Sequence, residues 1–189
     1  ADGSRRISNG YANRDNHVCY SRPEVLAQEL ENQTRWFADG KRVWENAAMA
    51  PNDTYSYFCP HDVMSMFGVC HCRDCMAAWR PEDPSGQYSE LIFGYAARLA
   101  GEMRKRWPGR RLAAAAYEAY EHAPRNVAIP ENLDIMLCQV RGPVMQTDPA
   151  VYENERQALD AWFRLLGGDR NRLAVWHYFC YPNMFTNAP

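Results

Sequence analysis

Four apolar runs of strand length, separated by helices or loops, are the feature that most restricts the fold of this 189-residue chain. The runs are mostly continuous rather than alternating, which is typical of strands buried on both faces of a sheet. Helices and strands follow each other in the order helix, strand, helix, strand, strand, helix, strand. This order favours an α/β fold with a parallel sheet. The four runs are residues 43–49, 112–117, 133–140 and 173–179.

Three amphipathic helices are predicted around these strands. The longest spans about residues 87–107, because its apolar residues recur at i, i+3, i+4 and i+7 along one face. A second helix is predicted over residues 22–37. The third covers about residues 149–166, with Asp148 as its N-cap and a glycine pair at 167–168 as its stop.

Two features favour part of a (β/α)8 barrel over a doubly wound sheet. No glycine-rich phosphate turn follows any strand, and the strand ends carry polar and aromatic residues, as the active-site rims of barrels do. Four or five strands cannot close such a barrel. We therefore expect residues 1–189 to be a single partial domain, about half of a barrel that is incomplete in this chain.

Charge and hydropathy exclude two kinds of partner. The 21 Lys and Arg residues nearly balance the 23 Asp and Glu residues, so the net charge of −2 gives no general attraction to nucleic acid. No unbroken apolar stretch approaches the roughly 20 residues that a bilayer span needs. No signal peptide is visible at the start of the sequence either.

A cysteine-rich loop, placed at residues 53–84, predicts a structural zinc site. Its thiols follow the pattern C-x10-C-x-C-x2-C, and the last pair has the spacing of a zinc knuckle. His61 or His71 is able to replace one thiolate. The expected ligands are Cys59, Cys70, Cys72 and Cys75.

Two alternatives to zinc stay open at this point. An exported protein can pair these thiols as disulfides, either among themselves or with the three cysteines elsewhere in the chain. The thiols can also be buried and unmodified. The three other cysteines are Cys19, Cys138 and Cys180.

Several stretches together resemble DUF4838, a family found in large exported bacterial carbohydrate-active proteins related to α-glucuronidase-like barrels. The most specific stretch is Asn52-Asp53 followed by Cys70-His-Cys72-Arg-Asp-Cys75, and the resemblance extends from His17 to Tyr178. Some members are similar to endo-β-N-acetylglucosaminidases. The resemblance implies the C-terminal portion of a (β/α)8 barrel, with the earlier strands missing from this chain. It also implies a secreted, periplasmic or cell-surface location.

Glycoside hydrolysis is the activity that the resemblance implies, with a complex glycan as substrate, N-acetylglucosamine-containing glycans being one candidate. This reaction generally uses two carboxyl groups. Asp53 and Glu118 each follow a predicted strand, so we expect them as the catalytic pair on one rim of the barrel. Asn52 beside Asp53 suits a substrate-assisted mechanism. Glu121 is expected to be solvated.

Aromatic and basic residues at the strand ends are candidate substrate contacts. Aromatic faces stack on the C–H groups of sugar rings, and Tyr117, Trp176 and Tyr178 end predicted strands. Because alternate strand residues face opposite ways, Trp176 and Tyr178 point together while His177 points away. Arg141 follows another strand and can bind an acidic sugar.

A non-catalytic domain is the alternative from a different functional class. In that case zinc or disulfides stabilise a module that binds a glycan or a protein, and the two acids are dispensable. The expected partners are a glycan and the missing N-terminal half of the same barrel. The only expected cofactor is structural zinc.

Overall fold

The computed structural model describes residues 18–39, 53–60, 69–139 and 147–177. The strands in these residues are β1 (Tyr55–Phe58), β2 (Arg111–Ala116), β3 (Leu133–Gln139) and β4 (Leu173–His177). The helices are α1 (Pro23–Asp39), α2 (Arg73–Met76), α3 (Ser89–Arg106) and α4 (Pro149–Leu165). Single turns of 3-10 helix follow β2 and precede β4, at Glu118–Tyr120 and Arg170–Arg172.

The strands form one sheet in the order β1-β2-β3-β4, and every neighbouring pair is parallel. The predicted α/β class with a parallel sheet and flanking helices is therefore confirmed. Three predicted strands and the three long helices are present, with the helix caps as expected: Asp148 accepts from the backbone N–H of Ala150 at 2.9 Å. Gly167 and Gly168 have φ values of 70° and 77°, which suit a helix stop.

The first strand differs from the prediction. Residues 43–49 lie outside the described residues, and the strand that pairs with β2 is 55–58, where the sequence predicts none. Its four residues, Tyr-Ser-Tyr-Phe, include a serine and are too few for a recognisable apolar run. Because this strand begins at Tyr55, Asp53 and Thr54 precede the strand instead of following one.

Alternate residues of β2 and β3 pack against α3 and form the centre of the core. Those facing the helix are at most 1% exposed, and burial of each Leu or Ile contributes about 1.5–3 kcal/mol. Two of them are alanines, which let the helix approach the sheet closely. The set consists of Leu112, Ala114, Ala116, Leu133, Ile135 and Leu137.

The three long helices cover the same face of the sheet. α1 contacts α3. α4 lies on the other side of α3, where the Trp162 ring packs edge-on against the Phe93 ring with centroids 4.5 Å apart. Gln139, which shares the helix-facing side of β3, donates to the backbone carbonyl of Glu155 in α4 at 2.7 Å.

A buried carboxylate joins the strands at their amino ends. Asp134 of β3 accepts from the Arg111 Nε of β2 at 2.6 Å and from the Tyr55 hydroxyl of β1 at 3.1 Å. Arg172, just before β4, lies 3.7 Å from the same carboxylate. The Asp134 side chain is only 9% exposed, so its charge depends on these partners.

Replacing Asp134 by alanine should lower the free energy of unfolding by about 3 kcal/mol, because it leaves partly buried guanidinium groups without their counter-charge. Urea denaturation measures the change. The matched control is Glu131→Ala, since the Glu131 side chain is 93% exposed and its ion pair with Arg104 is 3.9 Å long. Equal effects of the two substitutions would contradict the proposed role of Asp134.

Candidate functional site

Four thiols come together beside the start of α1. Their sulfur atoms all lie within 4.8 Å of one another, and they belong to Cys19, Cys70, Cys72 and Cys75. The Cys19 sulfur is 3.5 Å from that of Cys72 and 3.6 Å from that of Cys75. Cys75 is buried and the other three are half-buried. Thiols this close can hold a metal ion.

Two separate segments position these thiols. The single turn α2 places Cys72 and Cys75 on one side, three residues apart, with Cys72 as its N-cap. Cys19 is held by its neighbour Tyr20, whose ring packs 5.0 Å from that of Tyr95. The Arg98 side chain of α3 donates to the Tyr20 carbonyl at 2.9 Å and fixes the backbone there.

The structure brings together three of the four predicted ligands and leaves the fourth apart. Cys70, Cys72 and Cys75 meet as predicted, but Cys59 is exposed and lies outside the cluster. Cys59 directly follows β1, so the end of this strand fixes its position, and it does not share the segment that carries the other three thiols. Cys19 occupies the fourth place, although the sequence suggests it only as a disulfide partner.

Burial and hydrogen bonds shift the pKa values of the thiols in opposite directions. Burial raises the pKa of Cys19 to about 12, and it also raises the pKa of Cys75. A hydrogen bond from the backbone N–H of Cys75 lowers the pKa of Cys72 to about 7. The Ser21 hydroxyl lies 3.0 Å from the Cys75 sulfur, within hydrogen-bonding distance. A cation entering the cluster would displace the remaining protons, because thiolates are the ligand form.

The predicted catalytic carboxylates lie at opposite ends of two neighbouring parallel strands. Asp53 precedes β1, whose first residue Tyr55 pairs with Arg111, the first residue of β2. Glu118 follows the last residue of β2. At about 3.3 Å per residue, the length of β2 alone separates the two by more than roughly 16 Å. Their expected place on one rim is therefore wrong, because β1 begins after Asp53.

Glu118 does lie at the carboxyl edge, in an unusual backbone conformation. Its φ of 47° is the only positive value among the non-glycine residues that the structure describes. Left-handed backbone is costly for such residues and is often found at functional positions. Glu118 therefore remains a candidate on geometric grounds.

The candidate substrate contacts are only partly described. The half-buried Tyr117 ring packs edge-on against the Tyr120 ring at 6.5 Å. Trp176, the last residue but one of β4, is 52% exposed. The three other predicted contacts lie outside the described residues: Asn52, Arg141 and Tyr178.

Glu121 is buried, although the sequence predicts a solvated side chain. It is only 8% exposed, and its Oε1 atom has no hydrogen-bond partner in the described part of the chain. Burial, followed by the charge of Glu155, raises the pKa of Glu121 to about 8. The 3-10 turn after β2 carries Glu121 inward, where the Trp162 indole donates to its backbone carbonyl at 2.7 Å. No sequence pattern signals this turn.

Comparison with known proteins gives one kind of match. The model of the DUF4838 family, a domain of unknown function, matches residues 41–188. This span contains Cys70, Cys72 and Cys75 but not Cys19. Searches of curated proteins and of solved structures give no match.

The prediction about partners needs correction. A glycan partner and a separate N-terminal half of a barrel have no support, because the matching family has no assigned function and no curated protein or solved structure matches. We therefore withdraw both as partners, and glycoside hydrolysis stays an untested prediction about activity. The described residues agree with one part of the prediction, since none of their helices is long and apolar enough to cross a membrane. Secretion and bacterial origin stay predictions.

The raised pKa of Glu121 predicts that this residue makes stability fall as pH rises. Between about pH 4.5 and pH 8 the unfolded chain has lost the proton that the folded protein keeps. The contribution is therefore complete below pH 4.5 and lost as pH approaches 8, with a slope of up to about 1.4 kcal/mol per pH unit. Glu121→Gln should lack this slope.

Urea denaturation at four pH values between 5 and 8 checks this prediction. The exposed Glu24 provides the matched control, because Glu24→Gln should keep the wild-type slope. Parallel curves for wild type and Glu121→Gln would show that Glu121 titrates normally.

Proposed function

Because the chain belongs to the DUF4838 family, whose description assigns no function, we propose a function from its side-chain geometry: a zinc-binding domain with one structural zinc ion. The observation that carries this proposal is the position of four sulfur atoms within 4.8 Å of one another. The ligands would be Cys19, Cys70, Cys72 and Cys75.

The sulfur positions fit tetrahedral zinc closely. A Zn–S distance of about 2.3 Å requires sulfur atoms about 3.8 Å apart. Two of the distances from Cys19 are 3.5 and 3.6 Å, and small rotations of the side chains would adjust the others. Four thiolates complete the coordination of zinc and leave no position for water or substrate. This favours a structural role over a catalytic one.

The proposed ion would join two distant parts of the chain. Cys19 stands just before α1, while the other ligands belong to the loop between β1 and α3. A zinc ion bound there would hold the start of α1 against the loop between β1 and α3. Because the unfolded chain does not bring these thiols together, metal binding would contribute directly to folding stability.

Replacing Cys19 by serine should remove the zinc ion, whereas Cys59→Ser should not. Native mass spectrometry should find one zinc per chain in wild type and in Cys59→Ser, and none or a small fraction in Cys19→Ser. The melting temperature of Cys19→Ser should also fall. Both changes replace one thiol by a hydroxyl, but only Cys19 belongs to the cluster.

Three results would contradict this proposal. Loss of zinc from Cys59→Ser, or its retention in Cys19→Ser, would show that the ligand set is wrong. A wild-type mass four units below the fully reduced value, without metal, would show two disulfides. Iron in place of zinc would contradict the identity of the metal, since four thiolates also suit iron.

We also propose that the sheet belongs to a (β/α)8 barrel. The strand order follows the chain without reversal, whereas doubly wound sheets reverse direction at one point. The long helices cover one face of the sheet, as the outer ring of a barrel does. On the other face β2 places Ala113 and Ala115, residues small enough for a barrel interior.

Hydrolysis of a glycosidic bond is a second candidate function. It is favoured by the buried Glu121 at the carboxyl edge, where barrel enzymes carry their active sites. A carboxyl group that stays protonated near neutral pH suits a general acid. Glu118 or Glu155 would supply the second carboxylate.

A panel of unactivated disaccharides and oligosaccharides tests this second candidate, because a sugar leaving group needs a proton from the general acid. If Glu121 is the acid, Glu121→Gln should lower kcat at least about 100-fold with a small change in KM. Glu131→Gln is the exposed control and should keep full activity. Absence of hydrolysis by the wild-type protein, or normal turnover by Glu121→Gln, would leave the zinc proposal intact and contradict the hydrolase.

A further inference from the structure

A cavity of about 670 Å³ lies between α4 and the loop that follows the first 3-10 turn. Its volume is within the range of small-molecule pockets. Short apolar side chains from the loop and from α4 form much of its wall. The polar groups that line it are Asp83, His122, Arg125, Gln157 and Arg164.

His122 is held rigidly at this cavity. Its Nδ1 lies 2.7 Å from the Asp83 carboxylate and its Nε2 lies 3.1 Å from the Asn154 amide oxygen. Its backbone is fixed as well, because its N–H donates to the Ser85 carbonyl and its carbonyl accepts from the Ser89 hydroxyl. A side chain fixed in this way loses little freedom when a ligand binds.

The negative charge of Asp83 is offset by neighbouring cations. Arg80 and Arg125 approach the same carboxylate oxygen at 3.6 and 3.7 Å, while His122 contacts the other oxygen. Gly86 makes this packing possible, because a Cβ atom there would lie 2.5 Å from that carboxylate. Asp83 therefore orients the imidazole without making the cavity strongly negative.

Two guanidinium groups remain available to a ligand. The Nε of Arg164 donates to the Asp160 carbonyl at 3.2 Å, and in the described ranges no acidic side chain lies within salt-bridge distance of Arg164. Arg125 is 61% exposed, and its ion pairs with Glu82 and Asp83 are both 3.7 Å long. A ligand oxyanion would bind at about 2.7–2.9 Å and compete well with such contacts.

We propose that this cavity binds a small molecule that carries a carboxylate or phosphate group. Arg164 and Arg125 would hold the anionic oxygens, and Gln157 would contact the polar part of the ligand, while the fixed His122 ring would form part of the wall. The apolar wall would cover its body. This site is separate from the thiol cluster and uses none of the carboxylates at the strand ends.

Isothermal titration calorimetry of the protein as purified, at constant ionic strength, tests the proposal with three probes. Inorganic phosphate and citrate represent the two kinds of oxyanion, and myo-inositol is the neutral control. We expect saturable binding of at least one anion and none of myo-inositol. Binding of phosphate alone would identify a phosphate ligand, and binding of citrate alone would identify a carboxylate ligand.

Arg164→Gln should raise the dissociation constant of the bound anion about tenfold, because one charged hydrogen-bond donor is lost. Arg125→Gln is a second variant with the same expectation, and unchanged melting temperatures confirm that both fold. The matched control is Arg170→Gln, since Arg170 is exposed and does not line the cavity. No saturable binding of either anion, equal binding of myo-inositol, or equal weakening in Arg170→Gln would overturn the proposal.

Discussion

The packing of α3 against β2 and β3 is the interaction on which the rest of the structure depends. The helix meets a sheet surface in which β2 contributes two alanines and β3 contributes leucine and isoleucine, and groups of the helix also bond to two loops. At its start, the Tyr88 N–H donates to the Ala119 carbonyl at 3.0 Å and fixes the turn that carries Glu118 and Glu121. At its far end, the Ala100 carbonyl accepts from the buried Asn132 side chain at 2.8 Å. Its exposed flank holds Tyr20, and therefore Cys19, through Arg98. One helix thus positions the thiol cluster and the carboxyl edge.

The main elements of the fold could be predicted from the sequence because their signals are local. The stripe of α3, the cap at Asp148 and the apolar runs of β2 and β3 are each determined by neighbouring residues. β1 could not be predicted in this way. Its four residues are held by pairing with β2 and by the bond of Tyr55 to Asp134, a residue far along the chain. The error about Asp53 follows directly, since a residue before a parallel strand lies at the opposite edge from one after it.

The candidate site was only half visible in the sequence for the same reason. Cys70, Cys72 and Cys75 are close along the chain, so their spacing alone indicates a shared loop. The choice between Cys59 and Cys19 depends on tertiary packing, which brings Tyr20 beside Tyr95 and leaves Cys59 exposed. Burial of Glu121 is likewise a tertiary property, produced by α4 and the Trp162 indole. The cavity at His122 combines three segments, and no spacing within one of them predicts it.

The central claim is that four thiolates from two distant segments bind one zinc ion. X-ray absorption at the zinc edge, on protein purified without added metal, tests this claim most directly. The account predicts a single shell of four sulfur atoms at about 2.3 Å from the ion. The same shell should lose one sulfur in any Cys19→Ser protein that still retains zinc. A first shell dominated by nitrogen or oxygen atoms, or purified protein that contains no zinc, would contradict it.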